Sequence, residues 1–333
     1  MRLCFLIEEH YRHDGMPNDV VRQLTAWGHQ VDVLYPGGSP VRLADTVRAG
    51  RHDAWVLKTV SGGPGLTLLE AAAAVGLVTV NDARSIRPVR DKALAAVIAE
   101  HHGLPVPRTY AAARPELLAE LPDAEFPLVV KPAAGSSGRA VTRVASPEEM
   151  VRAADRFHGE ELLIAQPYVP NPGTDLKVYC VGGQTYGTQR PSPLHPEAPR
   201  GERPVPVPAE VARLADEVGA VFGLDLYGID VLLGPDGPVI VDINDFPSFR
   251  QVPNAVARVA RAVLRLAASG GRATAAAPAG AVPAVACGGG PLAVPVPGAG
   301  APAAELAAAP AGVGASLRVL PGPARDVTGT GEA

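Results

Sequence analysis

Short apolar runs alternate with amphipathic stretches over the first 84 residues. "RLCFLI" (2–7), "QVDVLYP" (30–36), "HDAWVLKTV" (52–60) and "LVTVND" (77–82) have strand length and are bounded by turn residues. Between them, "NDVVRQLTAWGH" (18–29) and "GLTLLEAAAAVG" (65–76) carry helical periodicity, with Asn18 as the expected N-cap of the first. Strands alternating with helices predict a small parallel sheet of doubly wound type over 1–84.

From residue 85 the order changes. One helix is expected from Ser85 to the stop at Gly103 and Pro105. Strands follow at "FPLVVKP" (126–132) and "AVTRVA" (140–145), joined by the small-residue loop "AAGSSGRAV". "SPEEMVRAADRFHG" opens with Ser146 as N-cap, Pro147 at the first helical position and Glu149 three residues after the cap. "ELLIAQPYV" and "DLKVYCVGGQTYGTQR" read as strands, the latter a hairpin turning at Gly182-Gly183. Residues 190–208 are proline-rich and read as a mobile loop. Helices are expected over 208–223 and 252–269. From 269 to 333 the chain is Ala, Pro and Gly without apolar period, which predicts a disordered tail. The expected division is therefore 1–84, 85–268 and 269–333.

The last hairpin, "GIDVLLGPDGPVIVDINDFPSF" (228–249), breaks its own pattern. Asp230, Asp242 and Asn244 interrupt runs that are apolar on both faces. A three-residue loop Pro235-Asp236-Gly237 would set Asp230 opposite Asp242, with Asn244 on the same face. Two carboxylates at ~4.5–5.5 Å between Cβ atoms need a positive charge between them. Hard divalent cations take such oxygens, so the three residues are the expected Mg²⁺ or Mn²⁺ ligands.

Composition narrows the chemistry further. Of 333 residues 47% are hydrophobic, the net charge is −4 and the pI is about 6.1, which disfavours nucleic acid and anionic membrane as partners. Three scattered cysteines make neither a disulfide framework nor a thiolate metal site. The N-terminal apolar run is too short for a signal sequence and no ~20-residue apolar span occurs, so the expectation is a soluble, cytoplasmic protein. Of the 30 basic residues only Lys58, Lys92, Lys131 and Lys177 are lysines, and the rest are arginine. Each lysine is thus a candidate for a place that needs a compact ammonium.

In order, the chain presents a helix with Asp91-Lys92, a strand ending in Lys131, the flap Gly135, Ser136, Ser137, Gly138, the strands "LLIAQPYV" and "DLKVYCVGG", then "YGIDV" and "VDIN". This series resembles the ATP-grasp superfamily over about 86–267, with 1–84 similar to the small domain that precedes it. The resemblance implies an ATP-grasp fold, ATP and Mg²⁺ as cofactors, and the following roles. Lys92 and Lys131 contact the phosphates and purine edge. The flap closes over the triphosphate. Gln166, Pro167, Tyr168 and Val169 form the linker beside adenine, and Asp175 lies near ribose or substrate. Asp230, Asp242 and Asn244 hold the metal. Arg190, with Lys177, serves the transferred phosphoryl group. "GSSGRA" is similar to the RimK-like and glutathione-synthase ligases, which join a carboxylate to an amine or thiol through an acyl phosphate. That is the expected activity, on a small-molecule or peptide substrate. "KVYCVG", "QRPSP", "LYGID" and "DINDFPSF" are also similar to inositol-trisphosphate kinases, a hydroxyl-phosphorylating alternative, although the flap lacks the histidine of that group. "WVLKT" is similar to the place where that kinase group sets a lysine on its substrate, so Lys58 is expected to face the substrate, as is Ser248 after the metal strand. Oligomeric state is not legible.

Overall fold

The computed structural model describes residues 1–38, 40–48, 52–58, 63–135, 141–195 and 201–270. Residues 271–333 of the expected tail (269–333) and flap residues Ser136, Ser137 and Gly138 lie outside them.

The chain begins β1 (Arg2–Ile7), α1 (Gly15–Ala26), β2 (Gln30–Leu34), α2 (Leu43–Arg48), β3 (Ala54–Lys58), α3 (Gly65–Ala74) and β4 (Thr79–Val80). The four strands form a parallel sheet in the order β2-β1-β3-β4, as the alternation predicts. β1 and β3 bury both faces: Leu3, Phe5 and Ile7 pack toward α1, whereas Leu6, Trp55 and Leu57 pack toward α3. Two readings need correction here. The N-cap of α1 is Asp14, whose carboxylate accepts from the Met16 amide, and Asn18 instead donates to the carbonyls of Arg12 and Asp14 from inside the first turn. The short α2 has no periodic signal and was not expected.

The single helix expected from Ser85 is two, α4 (Ala83–Arg90) and α5 (Lys92–His101). Asp91 separates them: its backbone is extended, and its side chain accepts from the amides of Ala93 and Leu94. A residue that caps a new N-terminus cannot also continue the preceding helix.

Two antiparallel sheets follow. β5 (Tyr110–Ala112), β6 (Leu128–Pro132), β7 (Thr142–Val144) and β8 (Leu163–Pro167) are ordered β5-β8-β6-β7, covered by α6 (Pro147–Ala153). Ser146 caps α6 as predicted, accepting from Glu149 N. The second sheet is ordered β11-β10-β9-β12-β13, from β9 (Thr174–Val181), β10 (Gln184–Pro191), β11 (Arg203–Val205), β12 (Tyr227–Gly234) and β13 (Gly237–Asp245). α7 (Ala209–Phe222) packs on it and ends at Gly223 with φ 67°. Part of the proline-rich stretch expected as a mobile loop is thus the edge strand β11, paired with Gly187–Gln189. Proline is tolerated at such an edge because only one side of the strand must donate.

α8 (Ala255–Ala268) closes the fold against α1, β4 and β9. The Asn81 side chain links the first sheet to the start of β12: its Nδ2 donates to Leu226 O at 2.7 Å, and its Oδ1 accepts from the Asp225 and Leu226 amides at 3.0 and 2.8 Å.

A charged cavity between three sheets

A cavity of ≈ 880 Å³ is lined by the ends of β3, β6 and β8 and by the face of β9, β10, β12 and β13. Three sheets contribute because each sends a strand end or a polar strand face to the same space.

Asp230 and Asp242 are paired across the β12–β13 ladder, as the pattern predicts, but by a different route. The turn is two residues, Pro235-Asp236, with Gly234 opposite Gly237. The register then shifts between Asp230 and Val231, leaving Val241 without a partner. This bulge restores the Asp230–Asp242 pair and re-aims the strand. The Val241 carbonyl accepts from the Lys131 ammonium at 2.9 Å.

Asp230 faces two side-chain cations. Its Oδ1 meets Lys177 Nζ at 2.5 Å and its Oδ2 accepts from Arg190 Nη2 at 2.7 Å. Arg190 Nε donates to Asp175 Oδ1 at 2.5 Å. The pairing follows from register: Lys177 stands opposite Asp230 between β9 and β12, and Asp175 opposite Arg190 between β9 and β10. Asp175, expected near the nucleotide ribose or substrate, thus serves as an anchor of Arg190. Gly228 belongs to the same arrangement, since a Cβ there would stand 3.3 Å from Lys177 Cε and 3.2 Å from Val178 O.

The electrostatics follow the pairing. Burial works to raise the Asp230 carboxyl, but the adjacent Lys177 and Arg190 charges overcome it and hold it below the usual range. Asp175 is pushed up to about 6, burial outweighing Arg190. Burial opposes the Arg190 charge, yet its two carboxylates raise its pKa above the ordinary value.

The other lysines are held differently. Lys131, 8% exposed, has its pKa lowered by burial, with Asp242 partly offsetting and Lys92 adding to the shift. Lys92, the first residue of α5, donates to Gly135 O at 2.7 Å and lies 3.9 Å from Asp242. Lys58 is 4% exposed, donates to Phe246 O at 2.6 Å and sits 4.5 Å from the Tyr11 ring centroid. Burial lowers its pKa to about 8. Phe246 has φ 38°, a region costly for a bulky residue, and its carbonyl is the one that Lys58 meets. Arg90 forms a two-point ion pair with Asp245 at 3.1 and 2.9 Å, joining α4 to the end of β13.

Of the remaining expected site residues, Gln166 is buried and donates to Thr109 Oγ1 at 2.9 Å. Pro167, Tyr168 and Val169 line the cavity, although the Tyr168 amide is already donated to Pro127 O at 2.8 Å. Arg143 stacks over the Tyr168 ring. Asn244 stands 3.5 Å from Asp242 through its Nδ2, and Ser248 reaches the wall. Residues not singled out from sequence are Tyr11, Arg90 and Asp245. The Asp175–Arg190 pair was within reach: a two-residue turn at Gly182-Gly183 fixes that register.

Residues 89–262 match the model of the RimK-like ATP-grasp domain, more than half of the chain. The chain belongs to the RimK-like ATP-grasp family. It is 27% identical over 208 residues to a probable alpha-L-glutamate ligase of Thioalkalivibrio sulfidiphilus, covering 57% of this chain and 67% of that protein. It is 26% identical over 185 residues to the alpha-aminoadipate–LysW ligase LysX of Sulfurisphaera tokodaii, covering 52% and 65%. The fold superposes on a RimK-domain ATP-grasp protein of Sphaerobacter thermophilus with a TM-score of 0.63 and 20% identity, over 79% of this chain and all of that one. This RimK-like protein is an ATP-dependent ligase, and the comparisons favour that activity over the inositol-trisphosphate kinase alternative. Among its described residues no helix is long and apolar enough to cross a membrane.

Proposed function

We propose that this RimK-like protein is a carboxylate–amine ligase that takes an acidic amino acid as one partner, with ATP driving the junction through an acyl phosphate. The observation that carries the reading is the distribution of positive charge. Lys92 and Lys131 gather at one end of the cavity, Lys58 at another, and between them Lys177 and Arg190 are neutralised by carboxylates. Two separated cationic ends suit two anionic ligands, a polyphosphate and an amino-acid carboxylate. The names of the relatives, a glutamate ligase and an alpha-aminoadipate ligase, support the second.

In this reading Lys92 and Lys131 hold the phosphates, and Gln166–Val169 line the purine end. The substrate carboxylate oxygen attacks the γ-phosphorus and ADP leaves. Arg190 and Lys177 lie beside the reacting group and stabilise its charge. The amine then attacks the acyl carbon, inorganic phosphate departs with the bonding pair, and the amine gives up a proton. Lys58 and Ser248 orient the acidic partner. The residues fit a divalent ion: Asp242 and Asn244 bring hard oxygens to the wall, with Asp230 directly across the ladder. Mg²⁺ or Mn²⁺ held there supplies neutralisation of the triphosphate.

The test uses γ-labelled ATP, Mg²⁺ and separate acidic amino acids with and without peptide acceptors. A ligase releases the label as free phosphate in step with ADP and a new amide mass. Label retained on the acceptor overturns the reading in favour of a kinase.

A further inference from the structure

Asp230 is buried, and both of its oxygens face cations. One oxygen is committed to Lys177 at 2.5 Å and the other to Arg190 at 2.7 Å. Asp242 has a looser neighbourhood, with Lys92 at 3.9 Å and Asn244 at 3.5 Å. A divalent ion arriving alone would therefore find two uncommitted ligand side chains, while the third opposes its charge with two cations. Stripping Asp230 from those cations would leave Lys177 buried without its carboxylate and Arg190 with Asp175 alone, a costly state in a low-dielectric site.

We infer that Lys177 and Arg190 are exchangeable counter-ions of Asp230, so that a divalent ion and a polyphosphate bind this cavity as a mutually dependent pair. The polyphosphate replaces Asp230 as the partner of the two cations, and Asp230 is then released to the ion. Arg190 is built for the exchange: its Nε stays on Asp175, across the β9–β10 ladder, while Nη2 changes partner. Lys177 has room because Gly228 carries no side chain against its Cε. Linkage makes the effect reciprocal, each ligand tightening the other by the same factor. The inference rests on the ATP-grasp reading of the site, and it makes Lys177 and Arg190 positioning residues for Asp230 in the free protein.

The experiment measures free Mn²⁺ by electron paramagnetic resonance, with the full chain, with and without the non-hydrolysable β,γ-imido analogue of ATP. In the wild-type protein the analogue is expected to tighten Mn²⁺ binding by about tenfold or more. Lys177→Met is expected to tighten Mn²⁺ binding in the absence of nucleotide by about tenfold, because Asp230 has lost one competitor, and to shrink the coupling. The double variant Lys177→Met/Asp230→Asn, which removes both charges, is expected to lose that gain. Arg190→Met gives the same comparison if Lys177→Met does not fold by circular dichroism. Nucleotide-free Mn²⁺ affinity unchanged or weakened in a folded single variant overturns the inference while leaving the nucleotide site intact. A wild-type protein that does not bind the analogue at all overturns the ATP-grasp reading itself, and the inference with it.

Discussion

Two sets of cations share one cavity and are treated oppositely by the fold. On β9 and β10, Lys177 and Arg190 each lie within 2.7 Å of a carboxylate. On β3 and β6, Lys58 and Lys131 meet carbonyl oxygens, and no ion pair involves either among the described residues. The pKa directions record the difference: Arg190 is raised by its carboxylates, while burial lowers both lysines. A carbonyl dipole orients an ammonium without cancelling its charge. The lesson is that this fold keeps uncancelled positive charge at the two ends where anions are proposed to enter and neutralises it in the middle until needed.

The comparison is broken most severely by removing a pair that only holds elements together. Asp245→Asn takes the two-point carboxylate from Arg90, the last residue of α4, and should cost about 3–5 kcal/mol of stability in urea unfolding. A loss below ~1 kcal/mol would show that this pair is as replaceable as a surface one. Next, Arg190→Ala should lower kcat by about 10²–10³, a larger factor than its rise in ATP KM. A change confined to KM would place Arg190 with the lysines that bind the nucleotide. Lys131→Met should do the reverse, raising ATP KM by roughly 10- to 100-fold, the scale of a charge-assisted hydrogen bond. Equal loss in kcat would dissolve the distinction between the two sets.

The smallest effect sharpens the comparison through pH. Lys58 has a folded pKa of about 8 against 10.5 for an ordinary lysine. Below pH 8 both folded and unfolded chains carry the proton, and the cost of burying it is present in full. Between about 8 and 10.5 the unfolded chain holds more protons, so stability rises with pH. Relative to Lys58→Met, the wild-type protein should gain at most ~1.4 kcal/mol per pH unit in that window, read by urea unfolding. Parallel curves for the two proteins would mean that Lys58 is not held as an uncancelled charge.

Some of this was legible from pattern alone. Period-2 alternation exposed Asp230, Asp242 and Asn244 as intruders in an apolar hairpin, and strand–helix alternation gave the parallel sheet. The hairpin turn was misread because a two-residue loop followed by a bulge gives Asp230 the same partner as a three-residue loop without one. The split of α4 from α5 was missed because helical periodicity runs on through Asp91 while only its cap geometry shows the break.

The sequence by itself determined which groups stand opposite each other where a short turn alone fixes the register, as with Asp175–Arg190. Local backbone geometry allows few ways to close such a loop. Tertiary structure alone decided the Lys177–Asp230 pair, 53 residues apart, and set Lys58 on Phe246 O and Lys131 on Val241 O. Those contacts depend on which strands become neighbours and on where a bulge or a left-handed turn aims a carbonyl. No local periodicity encodes either, because both are settled by the packing of three sheets around one space.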